Sequence, residues 1–103
     1  MSESDFLQRC ENTLNKISEE LEIRDKNSKL DVEYSDGILT ILIEETSKTY
    51  VINRHGASQK IWYSSPFTGA DYFSFEDTSQ SWIDSKGEKL EVKLLSELQK
   101  ILN

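Results

Sequence analysis

Apolar residues in this chain recur with the period of a helix, then with the period of a strand, then of a helix again. No other feature restricts the possible folds as much. Phe6, Cys10, Leu14, Ile17 and Leu21 follow one another at intervals of four, four, three and four residues, which sets all five on one side of an α-helix. Ser4 stands where its cap belongs, and Glu11, Asn15, Glu19 and Glu22 occupy the other sides. The stripe fades in the polar connector Arg24-Asp25-Lys26-Asn27-Ser28. Leu30, Val32 and Tyr34 then alternate with Asp31 and Glu33, as in a strand with one buried and one wet face.

The period of two persists. Ser35-Asp36-Gly37 carries hairpin-turn chemistry, because glycine accepts positive φ without steric cost. The returning strand runs from Ile38 to Glu44, with Leu39, Ile41 and Ile43 on one face. Glu45-Thr46-Ser47 turns the chain into a third strand, Lys48 to Arg54, and His55-Gly56-Ala57-Ser58 forms a loop. A fourth strand, Gln59 to Ser64, breaks at Ser65-Pro66-Phe67-Thr68-Gly69. A fifth spans Asp71 to Glu76, and a short sixth surrounds Trp82 and ends at Ser85-Lys86-Gly87. Leu90, Leu94, Leu95, Leu98, Ile101 and Leu102 restore the helical stripe.

Helix, about six strands and helix predict an α+β domain: an antiparallel meander sheet with the N- and C-terminal helices on one face. At 103 residues the chain makes one domain, spanning 1–103, and not two. A hydrophobic content of 36% suits two layers with one face in water. The single cysteine, Cys10, allows no internal disulfide and no zinc knuckle. The segment from Met1 to Arg9 has no basic start followed by an apolar run, and the longest apolar stretch, Ile38 to Ile43, is far short of the ~20 residues of a membrane helix. These features predict a protein that binds no membrane and is cytoplasmic, or one of another compartment whose targeting segment lies outside this sequence. Net charge is −7, and residues 1–36 alone hold ten acids against five bases. Such a surface repels phosphate backbones and attracts cations or basic proteins, which argues against nucleic-acid binding.

Two groups of residues stand out chemically. One is a carboxylate ridge: Glu11, Glu19, Glu20, Glu22 and Asp25 on or just after the first helix, with Asp31, Glu33 and Asp36 on and beyond the first strand. Asp31 and Glu33 project from one strand face about 7 Å apart. Carboxylates suit hard cations such as iron, manganese, calcium or magnesium, but with no His or Cys among them the site they predict is weak, open and poorly selective. Read without a ligand, the same residues are a solvated helix face. The other is Trp62. Alternation buries Ile61 and Tyr63 and turns Trp62 to solvent beside Val51 and Asn53, as a protein-interface anchor would be placed; a register one residue off would bury it instead. The one histidine, His55, has no nucleophile or orienting carboxylate placed for it by a recognisable motif and reads as a solvated loop residue. No Gly-rich phosphate loop, Ser-His-Asp set or catalytic carboxylate pair occurs, so the sequence predicts a binding protein and not an enzyme.

The run Gln59-Lys60-Ile61-Trp62-Tyr63-Ser64-Ser65-Pro66, with Gly69 soon after, resembles the signature strand and turn of the frataxin family, which includes the bacterial CyaY proteins. Gly37-Ile38-Leu39-Thr40-Ile41, Tyr50-Val51-Ile52-Asn53-Arg54, Trp82, and Gly87 leading into Leu90, Leu94 and Leu98 extend the resemblance over nearly the whole chain. It implies, for a bacterial CyaY-type chain, an iron-binding regulator of iron–sulfur cluster assembly. Iron, as Fe2+ or Fe3+, would bind weakly at Glu11, Glu19, Glu20, Glu22, Asp25, Asp31 and Glu33. Glu19 and Glu22 would dock on a cysteine desulfurase, and Asn53 and Trp62 on the iron–sulfur scaffold protein. The chain would be a monomer able to oligomerise with iron. The rival role is an iron chaperone or storage protein with weak ferroxidase activity, although paired Glu-x-x-His ligands are missing from the sequence. Departures from the family pattern are His55 where Gln is frequent, Tyr72 where a cationic or His side chain is frequent, and Ser74 where Asp is frequent. Arg24, Lys26 and Lys29 also interrupt the acidic ridge.

Overall fold

A computed structural model describes all residues, 1–103. Helix α1 (Glu3–Arg24) leads into six strands, β1 (Leu30–Ser35), β2 (Ile38–Ile43), β3 (Lys48–His55), β4 (Lys60–Ser65), β5 (Gly69–Glu76) and β6 (Ser81–Ile83), and helix α2 (Leu90–Leu102) closes the chain. Every strand pairs antiparallel with its sequence neighbours, giving one sheet in the order β1-β2-β3-β4-β5-β6. The expected meander and the expected helices are both present, with strand ends displaced by one or two residues.

Both helices lie on the same face of the sheet. Phe6, Cys10, Leu14, Ile17 and Leu21 of α1, and Leu90, Leu94 and Leu98 of α2, share one core with Leu39, Ile41, Ile43, Tyr50, Ile52, Ile61, Tyr63, Phe73 and Trp82. The stripe predicted for α1 is therefore its buried face, residue for residue. Trp82 ties the far ends of the chain together: its ring meets Phe6 edge-on at 6.0 Å, and its indole N–H donates to Thr13 Oγ1 at 3.0 Å. No helix is long and apolar enough to cross a membrane.

The cap of α1 is Ser2 and not Ser4. Ser2 is extended, and its Oγ accepts from the Asp5 N–H, so the helix starts earlier than the apolar stripe indicates and Ser4 falls in its first turn. Between β1 and β2, Gly37 adopts a φ of +76°, which favours glycine, and a Cβ there would also have to displace the Arg54 side chain, whose Nε would lie 2.5 Å away.

Cys10 is fully buried, and burial pushes its thiol up to about 12 against a modest opposing pull from Arg54. Tyr50 and Tyr63 are raised too, chiefly by burial and then by the charge of Glu97. Each of these groups is neutral when protonated, so the linkage has one sign. Below pH 9.0, the ordinary thiol value, folded and unfolded chains both keep the Cys10 proton and its contribution is whole. Between 9.0 and about 12 the unfolded chain releases that proton first, and above 10.0 it releases the tyrosine protons first, so stability falls as pH rises. Thermal melts should therefore show a midpoint that drops above about pH 9, and at about pH 8 iodoacetamide should alkylate Cys10 only after denaturant is added. Rapid alkylation of the folded chain would contradict the buried placement.

Candidate functional site

The face of the sheet that the helices leave uncovered carries Asn53 and Trp62, two of the residues expected to dock, while Glu19 and Glu22 sit on α1. Pairing aligns Ser35 with Ile38, Ile38 with Asn53, Asn53 with Trp62, and Trp62 with Tyr72, one row crossing five strands. Within β4 the burial alternates: Ile61 and Tyr63 have no exposed surface, and Trp62 between them is half-buried on the other side. The outward register is the observed one. Asn53 lies directly opposite Trp62, so the two side chains share one patch, and Val51 flanks it across from Ser64. Ile38 and Tyr72, 41% and 47% exposed, extend the row with apolar and aromatic surface. Neither is assigned to docking from the sequence, although the same alternation that turns Trp62 outward turns them outward.

The middle of this face is uncharged. Asp71, the one acid between Lys48 and Phe75, pairs with Tyr63 in register and therefore points to the helical side, where it meets Lys93 at 3.2 Å. His55 is the last residue of β3 and not part of the loop; it is exposed, with Nδ1 2.7 Å from Ser58 Oγ and its ring edge-on to Tyr72 at 6.2 Å.

The carboxylates fall into two sets. Glu19, Glu20 and Glu22 sit on α1. Asp31 and Glu33 are exposed on β1 and project from the same sheet face as Trp62, since Leu30 lies in the core and Val32 and Tyr34 pack against it. Several have partners within the protein. Asp25 accepts from the N–H groups of Lys29 and Leu30 at 2.8 and 2.9 Å, closing the connector between α1 and β1. Glu20 pairs with Arg24 at 2.8 Å, Glu19 accepts from Asn15 at 3.3 Å, and Glu11 accepts from the Tyr34 hydroxyl. Burial and then that bond to Glu11 raise the Tyr34 pKa. Glu22, Asp31 and Glu33 are exposed and have no ion-pair partner. No three His, Cys, Asp or Glu side chains converge as a ligand cage, so a cation would meet these groups singly or in pairs.

A carboxylate that the sequence did not single out is the most fully engaged in the molecule. Glu97 of α2 accepts from Tyr50 Oη at 3.0 Å and Ser65 Oγ at 2.5 Å on one oxygen, and from Tyr63 Oη and Thr68 Oγ1, both at 3.0 Å, on the other. The signal available in the sequence is indirect: tyrosines at buried strand positions need acceptors for their hydroxyls.

Comparison with known proteins follows the same outline. A family model described as the Frataxin-like domain matches residues 1–103. The chain is 30% identical to the mitochondrial frataxin of Caenorhabditis elegans over 98% of its own length and 77% of that protein. It is 35% identical to the mitochondrial frataxin homolog of Drosophila melanogaster over 90% of its length and 53% of that protein. It spans still less, 35%, of the mitochondrial frataxin of Dictyostelium discoideum, at 38% identity over 66% of this chain. Among solved structures, the CyaY-family frataxin of Psychromonas ingrahamii superposes with a TM-score of 0.84 over 98% of this chain and 91% of that one; at 22% identity this likeness is one of fold. A trimeric frataxin from the yeast Saccharomyces cerevisiae, in complex with ferrous ion, superposes at 0.66 with 30% identity, over 99% of this chain and 87% of that one. With every residue inside the family model and the α-meander-α sandwich shared with these structures, the chain belongs to the frataxin family.

Proposed function

We propose that this protein is an iron-binding accessory factor of iron–sulfur cluster assembly, which docks on a cysteine desulfurase–scaffold complex and modulates sulfur transfer or iron delivery. The observation that carries this reading is the Asn53–Trp62 pair, set opposite one another on the sheet face that the helices leave uncovered. A partly exposed Trp in an uncharged row with Ile38 and Tyr72 is suited to fill a pocket on a partner. The carboxylates of α1 and β1 would act at longer range by attracting a basic surface and orienting the encounter. Family membership supports the assignment, and the ferrous complex of the yeast relative supports contact with iron. In this role the chain supplies binding and positioning, and the covalent chemistry belongs to its partner.

The direct test is capture of the cognate desulfurase–scaffold complex by this chain, with and without iron(II). Retention that Trp62 and the acidic residues do not influence would refute the reading. Reversing the charge of Glu19 and Glu22 should slow association severalfold, and added salt should mimic that loss in the unaltered protein, because steering is screened beyond about 8 Å at physiological ionic strength.

Iron is expected to bind on the order of micromolar or more weakly, since only exposed carboxylates meet it, and calcium or manganese should displace it. An NMR titration should move Glu19, Glu22, Asp31 and Glu33 first. Asp25 should respond less, because two backbone N–H groups already hold its carboxylate. Lys26 and Lys29 weaken the local attraction for a cation, so changing both to Glu should tighten binding. A nanomolar site elsewhere on the chain would overturn the assignment.

A further inference from the structure

We infer that Glu97 is a positioning residue for the docking face, one that holds β4 and the turn after it in the geometry that presents Trp62. This rests on the docking role proposed above. A carboxylate offers about four acceptor sites, and Glu97 fills them with four hydroxyl protons, two on each oxygen. The donors come from three places: Tyr50 on β3, Tyr63 and Ser65 on β4, and Thr68 in the turn between β4 and β5. Ser65 relays the hold. Its proton goes to Glu97, and its oxygen accepts the N–H groups of Phe67 and Thr68 at 3.0 and 3.1 Å. The direction of every bond in the network is thus fixed, with the carboxylate as its only terminal acceptor.

Trp62 lies between Ile61 and Tyr63 on the same strand and points away from this network. A tilt of β4 about its own axis would swing Tyr63 and Trp62 together in opposite directions. Tyr63 is gripped on several sides: its hydroxyl by Glu97, its ring edge-on by Tyr50 at 6.0 Å and by Phe73 at 5.5 Å, and its face by Lys93 at 5.2 Å. Releasing the hydroxyl removes the polar restraint on that tilt and frees the turn at the end of the strand. The C-terminal helix thereby acts on the opposite face of the sheet without touching it.

The test is Glu97→Gln, which keeps size but replaces one acceptor oxygen by a donor that faces two hydroxyls. In proton–nitrogen spectra of the free protein, the Trp62 indole signal and the backbone amides of Ser64, Phe67, Thr68 and Gly69 should shift, while α1 residues such as Asn12 and Asn15 should not. Thr68→Val, which removes one exposed donor and preserves the rest, should move the same signals by less, and it serves if Glu97→Gln does not fold. Spectra in which only α2, Tyr50 and Tyr63 respond, with Trp62 and the turn unmoved, would overturn the inference whether or not the chain docks. Against the desulfurase–scaffold complex, Glu97→Gln should weaken binding about tenfold, and in the background of Trp62→Ala it should weaken it no further. A merely structural role would instead give independent losses that multiply. If Trp62→Ala leaves binding unchanged, the docking reading fails, and the spectra of the free protein still decide what Glu97 does.

Discussion

Replacing Trp62 by alanine is expected to weaken docking on the desulfurase–scaffold complex by about 30-fold or more, while the chain remains folded. A packed aromatic anchor typically contributes ~2 kcal/mol or more to binding, and each 1.4 kcal/mol is about tenfold in affinity. The loss should appear in the dissociation rate and depend little on salt, because the row from Ile38 to Tyr72 carries no formal charge. Stability should fall by only about 1 kcal/mol or less, the scale of cross-strand contacts such as those with Asn53 and Tyr72. Binding kinetics and thermal melts on one preparation check both halves. If the variant unfolds while its folded fraction binds normally, Trp62 serves the fold and not the interface.

The largest stability loss from a single polar truncation should come at Glu97. Alanine there leaves the hydroxyls of Tyr50 and Tyr63 without their acceptor, and both residues are buried while Glu97 is in place. Each stranded hydroxyl costs about 1–3 kcal/mol, and Ser65 at 6% exposure adds to that. The expected total is about 3–5 kcal/mol, a large share of the roughly 5–15 kcal/mol typical of a domain. A thermal midpoint lowered by about 15–30 °C would match it. A midpoint within a few degrees of the original would mean that the hydroxyls find other acceptors and that the network is marginal.

The fold is legible in the sequence because period carries direct geometric information. The spacing of Phe6, Cys10, Leu14, Ile17 and Leu21 fits only a helical face, and the alternation around Trp62 determines which way it points once Ile61 and Tyr63 are buried. The cap of α1 is not readable this way, because Ser2 and Ser4 are both suitable residues and the choice depends on backbone angles at the start of the helix. Asp25 shows a similar limit. Its composition and position match a ridge ligand, but its carboxylate is committed to two N–H groups four and five residues onward, an outcome of how the connector bends. Glu97 is hidden for another reason. Its donors lie 29 to 47 residues away in sequence, and no local pattern records a contact assembled by the packing of α2 on the sheet.

The strand order has a consequence for how the molecule comes apart. Each strand's partners are its sequence neighbours, so the sheet can zip hairpin by hairpin, and closing such short loops takes microseconds and little chain entropy. The long closure is the one that brings Thr13 against Trp82, 69 residues along the chain. It draws α1, made first, onto β6, the last strand. β6 is only three residues long and lies at the edge of the sheet, so its pairing is expected to fray before that of β3 and β4, which have paired neighbours on both sides. Asn53 and Trp62 sit on those central strands. Fraying of β6 at the sheet edge is therefore expected to leave the proposed docking face paired.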